Sequence, residues 1–268
     1  MSFSKTGLRK VKISVAIVFY NLTKDDEKQT LENIERLNSI DSFDFSFYLI
    51  DNASPDRKLN IKLPVQIKNV YIKHLEKNKG FGAGHNSILE DIDSDFHIIM
   101  NPDININDIA GFIKAINYIQ INRDVVMLSP LVRNESDGKI QYLNRKEPTV
   151  FDLLIRFLGP SFFPKRQAQF VKKENGYSHI QPDDNATGAF MIARTKVLKS
   201  INGFDTRFFM YFEDTDLTKR ISKKGKVIFY PYFTVVHGWK RENHSIKGIS
   251  FMVKSMILYF NKWGWSLY

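Results

Sequence analysis

The sequence predicts an α/β fold in which a mostly parallel sheet carries helices on both faces. Along the first half of the 268 residues, apolar and β-branched runs of strand length alternate with helical patterns, and short loops connect them. This alternation is typical of a parallel sheet with helical crossovers. Three predicted strands end in polar residues, at 20–21, 51–54 and 101–103. Because ligands of such sheets bind beyond the carboxyl ends of the strands, we expect a nucleotide-type binding half here.

The individual elements follow from local patterns. Thr23 is suited to cap a first helix, acids fill the first turn of that helix, and Leu31, Ile34 and Leu37 fall on one face. Glycines at 203 and 225 are placed to end two later helices. The predicted strands cover 12–21, 45–54, 70–76, 96–103, 125–130 and 226–232, and a further strand begins near 187. The predicted helices cover 23–40, 80–92 after a glycine-rich turn, 106–122, a short segment before 203, and 213–225, while 149–173 is interpreted as an amphipathic helix and a loop.

Composition and charge restrict the class of protein. Hydrophobic residues make up 43% and charged residues 25%, as in ordinary globular proteins, and the absence of cysteine excludes disulfides, thiolate metal sites and a cysteine nucleophile. No targeting signal or membrane-spanning stretch is recognisable, so we expect a cytoplasmic protein. The net charge is +10, and from residue 219 onward ten Lys or Arg face one acid, Glu242. This basic, aromatic end indicates an anionic partner, either nucleic acid or an anionic bilayer.

A glycine-rich segment, NKGFGAGHN at 78–86, is the first candidate site. Glycines at 80, 82 and 84 would let the backbone approach a ligand, and the following helix start favours an anion. The pattern is neither a dinucleotide-binding fingerprint, because position 85 is His, nor a P-loop. A plain turn before a helix explains the glycines equally well.

Asp103 and His237 are candidate metal ligands. Asp103 directly follows a predicted strand, where an acid can hold a divalent cation, although Asn-Pro-Asp is also strong turn chemistry. His237 ends a later strand and could ligate the same ion, although a lone histidine there is more often simply packed or solvated. Lys240 and Arg241, next to Trp239, could hold a phosphate or a lipid head group.

Two adjacent carboxylates, Glu213 and Asp214, follow the apolar run FMYF at 209–212. Helix capping and complementarity to the helix dipole explain acids at a helix start in general. They do not explain the apolar run, which indicates carboxylates held at a partly desolvated wall. Desolvation raises a carboxylate pKa and makes the group a better general base.

The order of these segments resembles a known family. SVAIVFYN, LIDNASPD, NKGFGAGHN, MNPDI, TGAFMIARTKVLKSINGFDTRFFMYFEDTDLTKRISKKG and VVHGWKREN occur in succession over residues 12–245. Their combination is similar to bacterial family 2 glycosyltransferases of the GT-A fold, with the greatest likeness to the rhamnosyltransferase-like branch of surface-polysaccharide and O-antigen biosynthesis. The resemblance implies a Rossmann-like sheet and transfer of a sugar from a nucleotide-diphosphate donor.

The resemblance also implies roles for single residues. The donor nucleotide would be bound by residues at the strand ends and the glycine-rich turn, namely Tyr20, Asn21, Asp51, Asn78, Gly80, Asn86 and Asn101. Asp103 and His237 would hold a divalent metal, Mg²⁺ or Mn²⁺, although Asn101 replaces the first acid of the family's Asp-x-Asp motif and weakens the expected site. Thr187 and Gly188, together with Trp239, Lys240 and Arg241, would line the acceptor and sugar region. Asp214 would be the catalytic base, with Glu213 beside it.

The chain is accordingly divided into a catalytic domain at 1–245 and a basic, amphipathic membrane-interface segment at 246–268. Within the first, a nucleotide-sugar half covers about 1–130 and an acceptor half about 131–245. The expected partners are a nucleotide-diphosphate sugar, a glycan or polyprenyl-diphosphate-linked acceptor and an anionic membrane surface, with the enzyme peripheral on the inner face of the cytoplasmic membrane. No nucleic-acid-binding motif accompanies the positive charge, so nucleic acid is not expected.

Several alternatives stay open at this point. The branch likeness favours dTDP-L-rhamnose as donor, and UDP-galactofuranose, UDP-galactose, UDP-glucose and UDP-N-acetylglucosamine remain candidates. A nucleotidyltransferase shares the sheet architecture, but it usually has a glycine-rich signature with basic residues near the first strand, which VFYNLTKDDE lacks. A non-catalytic family member, or a basic protein that binds nucleic acid or membrane, is the alternative of a different class.

Overall fold

A computed structural model describes residues 9–56, 59–159, 161–238 and 246–268. The strands are β1 (Val11–Phe19), β2 (Phe43–Asp51), β3 (Val70–His74), β4 (Phe96–Met100), β5 (Ile104–Asn105), β6 (Val125–Asn134), β7 (Gln181–Pro182), β8 (Phe190–Arg194) and β9 (Lys226–His237). The helices are α1 (Lys24–Asn38), α2 (Phe81–Asn86), α3 (Ile109–Ile121), α4 (Val150–Leu158), α5 (Pro164–Phe170), α6 (Thr195–Ser200), α7 (Glu213–Ile221) and α8 (Ile246–Trp263). In these ranges no helix is long and apolar enough to cross a membrane.

The strands form one sheet in the order β3-β2-β1-β4-β8-β6-β9-β5, and β7 pairs with β9. The first four strands in this order are parallel, while β8 runs antiparallel to both β4 and β6. The predicted α/β class with a largely parallel sheet is therefore confirmed, and besides β8 the two short strands β5 and β7 also pair antiparallel, both with β9. Because β8 lies beside β4, the Asn101 N–H reaches the carbonyl of Ala189 at 2.9 Å.

Both faces of the sheet are buried, as the continuous apolar strands predict. Ile13, Val15 and Ile17 of β1 face one core, whereas Ala16 and Val18 face the other. Successive side chains of a strand point to opposite faces, so a strand covered on both sides needs an unbroken apolar run. Helix α1 begins at a capping box between Thr23 and Asp26, which confirms the predicted cap.

Helix α8 packs against the segment that leads into α7. Tyr259 and Phe260 are buried with Phe208, and the Ser255 hydroxyl donates to the carbonyl of Met210 at 2.8 Å. The predicted membrane-interface segment at 246–268 thus has an inner face that belongs to the protein core. Its role at a membrane stays a prediction.

Candidate active site

The turn before α7 is strained and aims the two adjacent carboxylates. Tyr211 and Phe212 both have positive φ, at 69° and 63°, which costs bulky residues about 1–3 kcal/mol each. Phe212 is the N-cap residue and its side chain makes no capping hydrogen bond. The helix start is therefore not a conventional cap. The tight turn places Glu213 and Asp214 in the first turn of α7.

Asp214 is held by backbone donors on both carboxylate oxygens. The Gly188 N–H donates to Oδ2 at 3.0 Å, and the Thr215 N–H donates to Oδ1 at 2.8 Å. The Thr215 hydroxyl in turn donates to Oδ1 of Asn185 at 2.8 Å. The carboxylate is thus fixed in direction while it stays partly accessible to solvent. This is the arrangement a general base needs.

Glu213 is in a different environment although it is the next residue. It is buried, and its Oε2 has no hydrogen-bond partner among the described residues. Burial, followed by repulsion from Asp214, raises the pKa of Glu213 well above its usual value. The environment therefore favours a neutral Glu213 beside Asp214. Asp214 is therefore the more accessible of the two carboxylates.

The glycine-rich segment packs directly onto the run that precedes the carboxylates. Gly80 has φ of 96°, and a Cβ there would lie 2.0 Å from the carbonyl oxygen of Phe209. The same oxygen accepts the Phe81 N–H at 3.0 Å. Asn78 Oδ1 accepts the Gly80 N–H at 2.9 Å and the Asn52 amide at 3.0 Å. Two segments predicted separately are thus one structural unit.

The other predicted donor residues lie at the carboxyl ends of β1, β2 and β4. Tyr20 is exposed and Asn21 has a positive φ of 55°. Asp51 is buried: burial alone would raise its pKa, but hydrogen bonds from Ser54, His74 and Leu59 outweigh burial and hold the pKa below its usual value. These contacts hold the loop after β2.

Asn86 also makes internal contacts. Its amide pairs with the backbone of Phe204 through hydrogen bonds of 2.8 and 2.9 Å. This side chain ties α2 to the segment between α6 and α7. The predicted nucleotide-binding roles of Asp51 and Asn86 stay predictions, and both side chains have a clear part in shaping the loops.

Asp103 and His237 come together as the metal-site prediction requires. Asp103 Oδ1 lies 3.4 Å from His237 Nε2, and both side chains are largely buried. Gln141, which the sequence did not single out, contacts His237 twice: its Oε1 is 3.0 Å from Nδ1, and its amide donates to the His237 carbonyl at 3.3 Å. In the tautomer of His237 that donates Nδ1–H to Gln141, Nε2 carries no proton and its lone pair faces the Asp103 carboxylate.

These two residues fit a divalent ion only in part. A carboxylate and an imidazole are suitable ligands, and an open site would be completed by substrate oxygens. Within the described ranges, no group of three His, Cys, Asp or Glu residues is placed to hold a metal. Within those ranges, Asp103 and His237 therefore form a half-site of two ligands.

A pocket of about 750 Å³ adjoins the carboxylates. Glu213, Asp214, Thr187 and His237 all line it. The predicted nucleotide-binding residues at the ends of β1 and β2 do not line this pocket. The pocket therefore connects the carboxylate pair with His237 and lies apart from the ends of β1 and β2. Trp239, Lys240 and Arg241, predicted for this region, lie outside the described residues.

Comparison with known proteins identifies the family. Residues 14–198, more than half of the chain, match the sequence family Glycosyl transferase family 2. The chain belongs to this family. It is a glycosyltransferase, as the order of its motifs predicted.

Two curated relatives are similar over most of the chain. Rhamnosyltransferase WbbL of Escherichia coli (strain K12) is 31% identical over 193 residues, which cover 67% of this chain and 70% of the relative. N-acetylglucosaminyl-diphospho-decaprenol L-rhamnosyltransferase of Mycobacterium tuberculosis (strain CDC 1551 / Oshkosh) is 27% identical over 211 residues, which cover 72% of this chain and 66% of the relative. The chain thus spans just under two thirds of the second relative.

Solved structures confirm the fold. Mannosyltransferase PcManGT from Pyrobaculum calidifontis, solved in complex with GDP-Man and Mn²⁺, superposes with a TM-score of 0.62 at 13% identity. The match covers 94% of this chain and 65% of the mannosyltransferase, so this chain spans less than two thirds of that length. The predicted GT-A fold of this family 2 glycosyltransferase is confirmed.

Proposed function

We propose that this glycosyltransferase moves a sugar from a nucleotide-diphosphate donor to a hydroxyl of a lipid-linked or growing glycan acceptor, with inversion at the anomeric carbon. L-Rhamnose from dTDP-L-rhamnose is the proposed sugar, because both curated relatives are rhamnosyltransferases by name. The observation that carries the proposal is the position of Asp214. Its carboxylate is oriented by Gly188 and lines a pocket large enough for an acceptor sugar.

The proposed chemistry is one displacement. Asp214 accepts the proton of the acceptor hydroxyl, and the hydroxyl oxygen forms a bond to the anomeric carbon. The bond from that carbon to the nucleoside diphosphate breaks on the opposite face, and its electron pair leaves with the diphosphate. The charge that develops on the sugar ring resembles the oxocarbenium-like state of glycoside hydrolysis. No covalent enzyme intermediate is required, so the configuration inverts.

A divalent ion, Mg²⁺ or Mn²⁺, is proposed at Asp103 and His237, where donor phosphate oxygens would complete the half-site. Bound there, it would neutralise charge on the departing diphosphate. Gln141 keeps the His237 ring in position. The Mn²⁺ in the mannosyltransferase complex supports this assignment only through the shared fold.

A membrane surface is proposed as the docking partner, at the cytoplasmic face. Six exposed apolar side chains, which we call the apolar rim, come from α4, the segment after it and the C-terminus: Leu154, Leu158, Phe162, Phe163, Trp265 and Leu267. Backbone hydrogen bonds of 2.9 Å from Val150 to Ser266 and 3.2 Å from Phe151 to Leu267 join these segments. Lys165 and Arg166 follow two and three residues after Phe163, and an exposed apolar patch beside basic residues is typical of proteins that bind anionic bilayers.

The apolar rim also supports a polyprenyl-linked acceptor, because it offers a surface for the lipid chain. Leu153 of α4 and Pro164, the first residue of α5 directly after Phe163 of the rim, line the pocket that contains Asp214. A lipid held at the rim would therefore present its head group to the pocket. The name of the mycobacterial relative, which specifies a diphospho-decaprenol acceptor, supports this class of substrate.

One experiment tests the donor and the stereochemistry together. The purified chain is incubated with Mg²⁺ or Mn²⁺, an N-acetylglucosaminyl diphosphate on a short polyprenyl chain, and in turn dTDP-L-rhamnose or each UDP-hexose. We expect rhamnose transfer and an inverted anomeric configuration by NMR. Transfer from a UDP-sugar alone would correct the donor, and retention of configuration would overturn the single displacement.

A second experiment tests the membrane. Flotation with anionic vesicles at moderate salt is expected to carry the protein to the top of the gradient, and neutral vesicles are the comparison. Absence of binding to anionic vesicles would end the membrane assignment and leave the transferase assignment in place.

A further inference from the structure

Two arginines line the same pocket as Asp214, with Asp152 and Asp183 in their electrostatic surroundings rather than in direct ion pairs among the described residues. Arg145 follows β6 and Arg156 lies on α4, and neither forms an ion pair in the part of the chain that the structure describes. The Nε of Arg145 is buried without a hydrogen-bond partner. Since buried polar groups in folded proteins are nearly always paired, this orphan donor requires an explanation.

Arg156 is held in place by packing rather than by a counterion. Its guanidinium carbon lies 5.3 Å from the centre of the buried Phe170 ring, a cation–π geometry. The nearby acid on α4, Asp152, is already engaged: Arg166 donates to its two oxygens at 2.6 and 3.0 Å. Arg166 therefore anchors α4 through Asp152, and Arg156 lines the pocket.

The two guanidinium groups also act on each other. The Arg156 side chain is exposed to solvent, and the protein atoms around its guanidinium, followed by repulsion from Arg145, lower its pKa to about 10. Two positive charges at one pocket repel each other, and an anion bound between them removes this repulsion. A ligand with two or more negative charges would satisfy both groups.

We propose that Arg145 and Arg156 form a subsite for the diphosphate of the acceptor, separate from the site that holds the donor nucleotide. The proposal rests on the proposed function and assigns one step of it. Guanidinium groups match phosphate oxygens in bidentate geometry. The pocket joins the elements of the apolar rim to Asp214, so a lipid-linked acceptor would place its chain at the rim, its diphosphate at the arginines and its sugar at the base.

Lys173 extends this subsite. It lines the pocket as well, and its amine lies 5.2 Å from the centre of the Tyr142 ring. The predicted donor residues at the ends of β1 and β2 do not line the pocket, whereas His237, the proposed ligand of the ion at the donor diphosphate, does. The ligand that these cations fit is a diphosphate. Both the acceptor lipid and the donor nucleotide carry a diphosphate, and the test below distinguishes the two.

The test compares two acceptors that differ only in charge. One is N-acetylglucosaminyl-diphospho-citronellol and the other is the neutral octyl N-acetylglucosaminide. For Arg145→Gln combined with Arg156→Gln, we expect kcat/KM to fall about 10- to 100-fold with the diphosphate acceptor, and to change less than about threefold with the neutral one. Arg9→Gln is the matched control, because Arg9 is exposed, pairs with Asp95 and lies outside the pocket.

A binding measurement supplies the second arm. Calorimetric titration of citronellyl diphosphate into protein saturated with the nucleoside diphosphate is expected to show a site that the double variant loses. Nucleotide affinity itself is expected to stay within about twofold. Arg145→Lys and Arg156→Lys keep the charge but lose the paired N–H donors of the guanidinium, so we expect intermediate losses of citronellyl diphosphate affinity. These variants replace the Gln variants if the latter fold poorly.

Other outcomes overturn the subsite. Equal losses with both acceptors would mean that the arginines act only on structure. A loss of nucleotide affinity with unchanged use of the diphosphate acceptor would assign the arginines to the donor.

One outcome separates the subsite from the proposed function. If the unmodified protein transferred no sugar to either acceptor yet bound citronellyl diphosphate through the arginines, the proposed function would fail and the subsite would stand.

Discussion

The Gly188 N–H donates a 3.0 Å hydrogen bond to Oδ2 of Asp214 and so links the segment before β8 to the first turn of α7. Space at this point is limited, since a Cβ on Gly188 would lie 3.1 Å from Cε1 of Phe81 and 3.5 Å from Cβ of Asp214. Three parts of the chain therefore meet at one place: the glycine-rich segment at 78–86, the TGA residues at 187–189, and the carboxylate pair at 213–214. The direction of the Asp214 carboxylate depends on all three.

Gly80 is predicted to be essential for this junction. Gly80→Ala is expected to lower the free energy of unfolding by about 2–5 kcal/mol, because it adds backbone strain to a clash with the Phe209 carbonyl. The control is Gly138→Ala, whose glycine has φ of 65° but open space around the added Cβ, with an expected loss of about 1 kcal/mol. Urea denaturation measures both, and equal losses would contradict the close packing.

Glu213 is predicted to make stability depend on pH. Its pKa is raised in the folded protein by burial and by Asp214, so as pH rises above about 4.5 the unfolded chain releases this proton before the folded protein does. The unfolded state then binds fewer protons, and the Glu213 contribution to stability falls with rising pH. Glu213→Gln removes this slope.

The measurement is the melting temperature of both proteins between pH 4 and pH 8. The variant is expected to gain relative to the unmodified protein as pH rises, whatever constant offset the new amide introduces. A difference that is independent of pH would show that Glu213 ionises normally.

Asp216 is predicted to hold α8 onto α7. It is fully buried, and its carboxylate contacts Arg220 at 2.7 Å, Lys262 at 2.6 Å and the Trp263 indole N–H at 2.9 Å. Asp216→Asn removes the carboxylate that pairs with Arg220 and one of the two that pair with Lys262, which keeps Asp205 at 2.7 Å, and the expected loss is about 3 kcal/mol of unfolding free energy. Asp124→Asn breaks an exposed pair with Lys226 and is expected to have a much smaller effect in the same denaturation assay.

Gln141 is predicted to set the affinity for the divalent ion by orienting His237. Gln141→Leu removes the acceptor at Nδ1, and Mn²⁺ affinity in the presence of nucleoside diphosphate is expected to fall about 10- to 100-fold. Calorimetric titration of Mn²⁺ measures this without turnover. His237→Ala provides the comparison, and a Gln141 variant with unchanged affinity would refute the positioning role.

The fold was predictable to a large extent because local patterns determine it. Alternating apolar strands and amphipathic helices gave the parallel half, and Thr23 with Asp26 marked the start of α1. The antiparallel placement of β8 was not predictable, since its apolar run is the same in either direction. Tertiary pairing with β4 determines it.

The carboxylate pair and the Asp103–His237 pair were predictable from motif order. Gln141, Arg145 and Arg156 were not, because packing between distant segments gives them their roles and no short motif contains them. The C-terminal segment shows a further limit. Its aromatic and basic pattern indicates a membrane surface, yet Tyr259 and Phe260 are buried against Phe208. A helix that covers a protein core can share this composition.

The central claim is that Asp214 removes the acceptor proton, and Asp214→Asn tests it most directly. Asparagine keeps the volume and can accept from the Gly188 N–H, so the fold and the donor site are expected to persist. For Asp214→Asn, the steady-state transfer rate should fall about 10²- to 10⁴-fold, while nucleotide affinity stays within about twofold. The transfer rate of Glu213→Gln should fall far less. A variant that retains more than about a tenth of the turnover, on the scale expected for a general base, would contradict the claim.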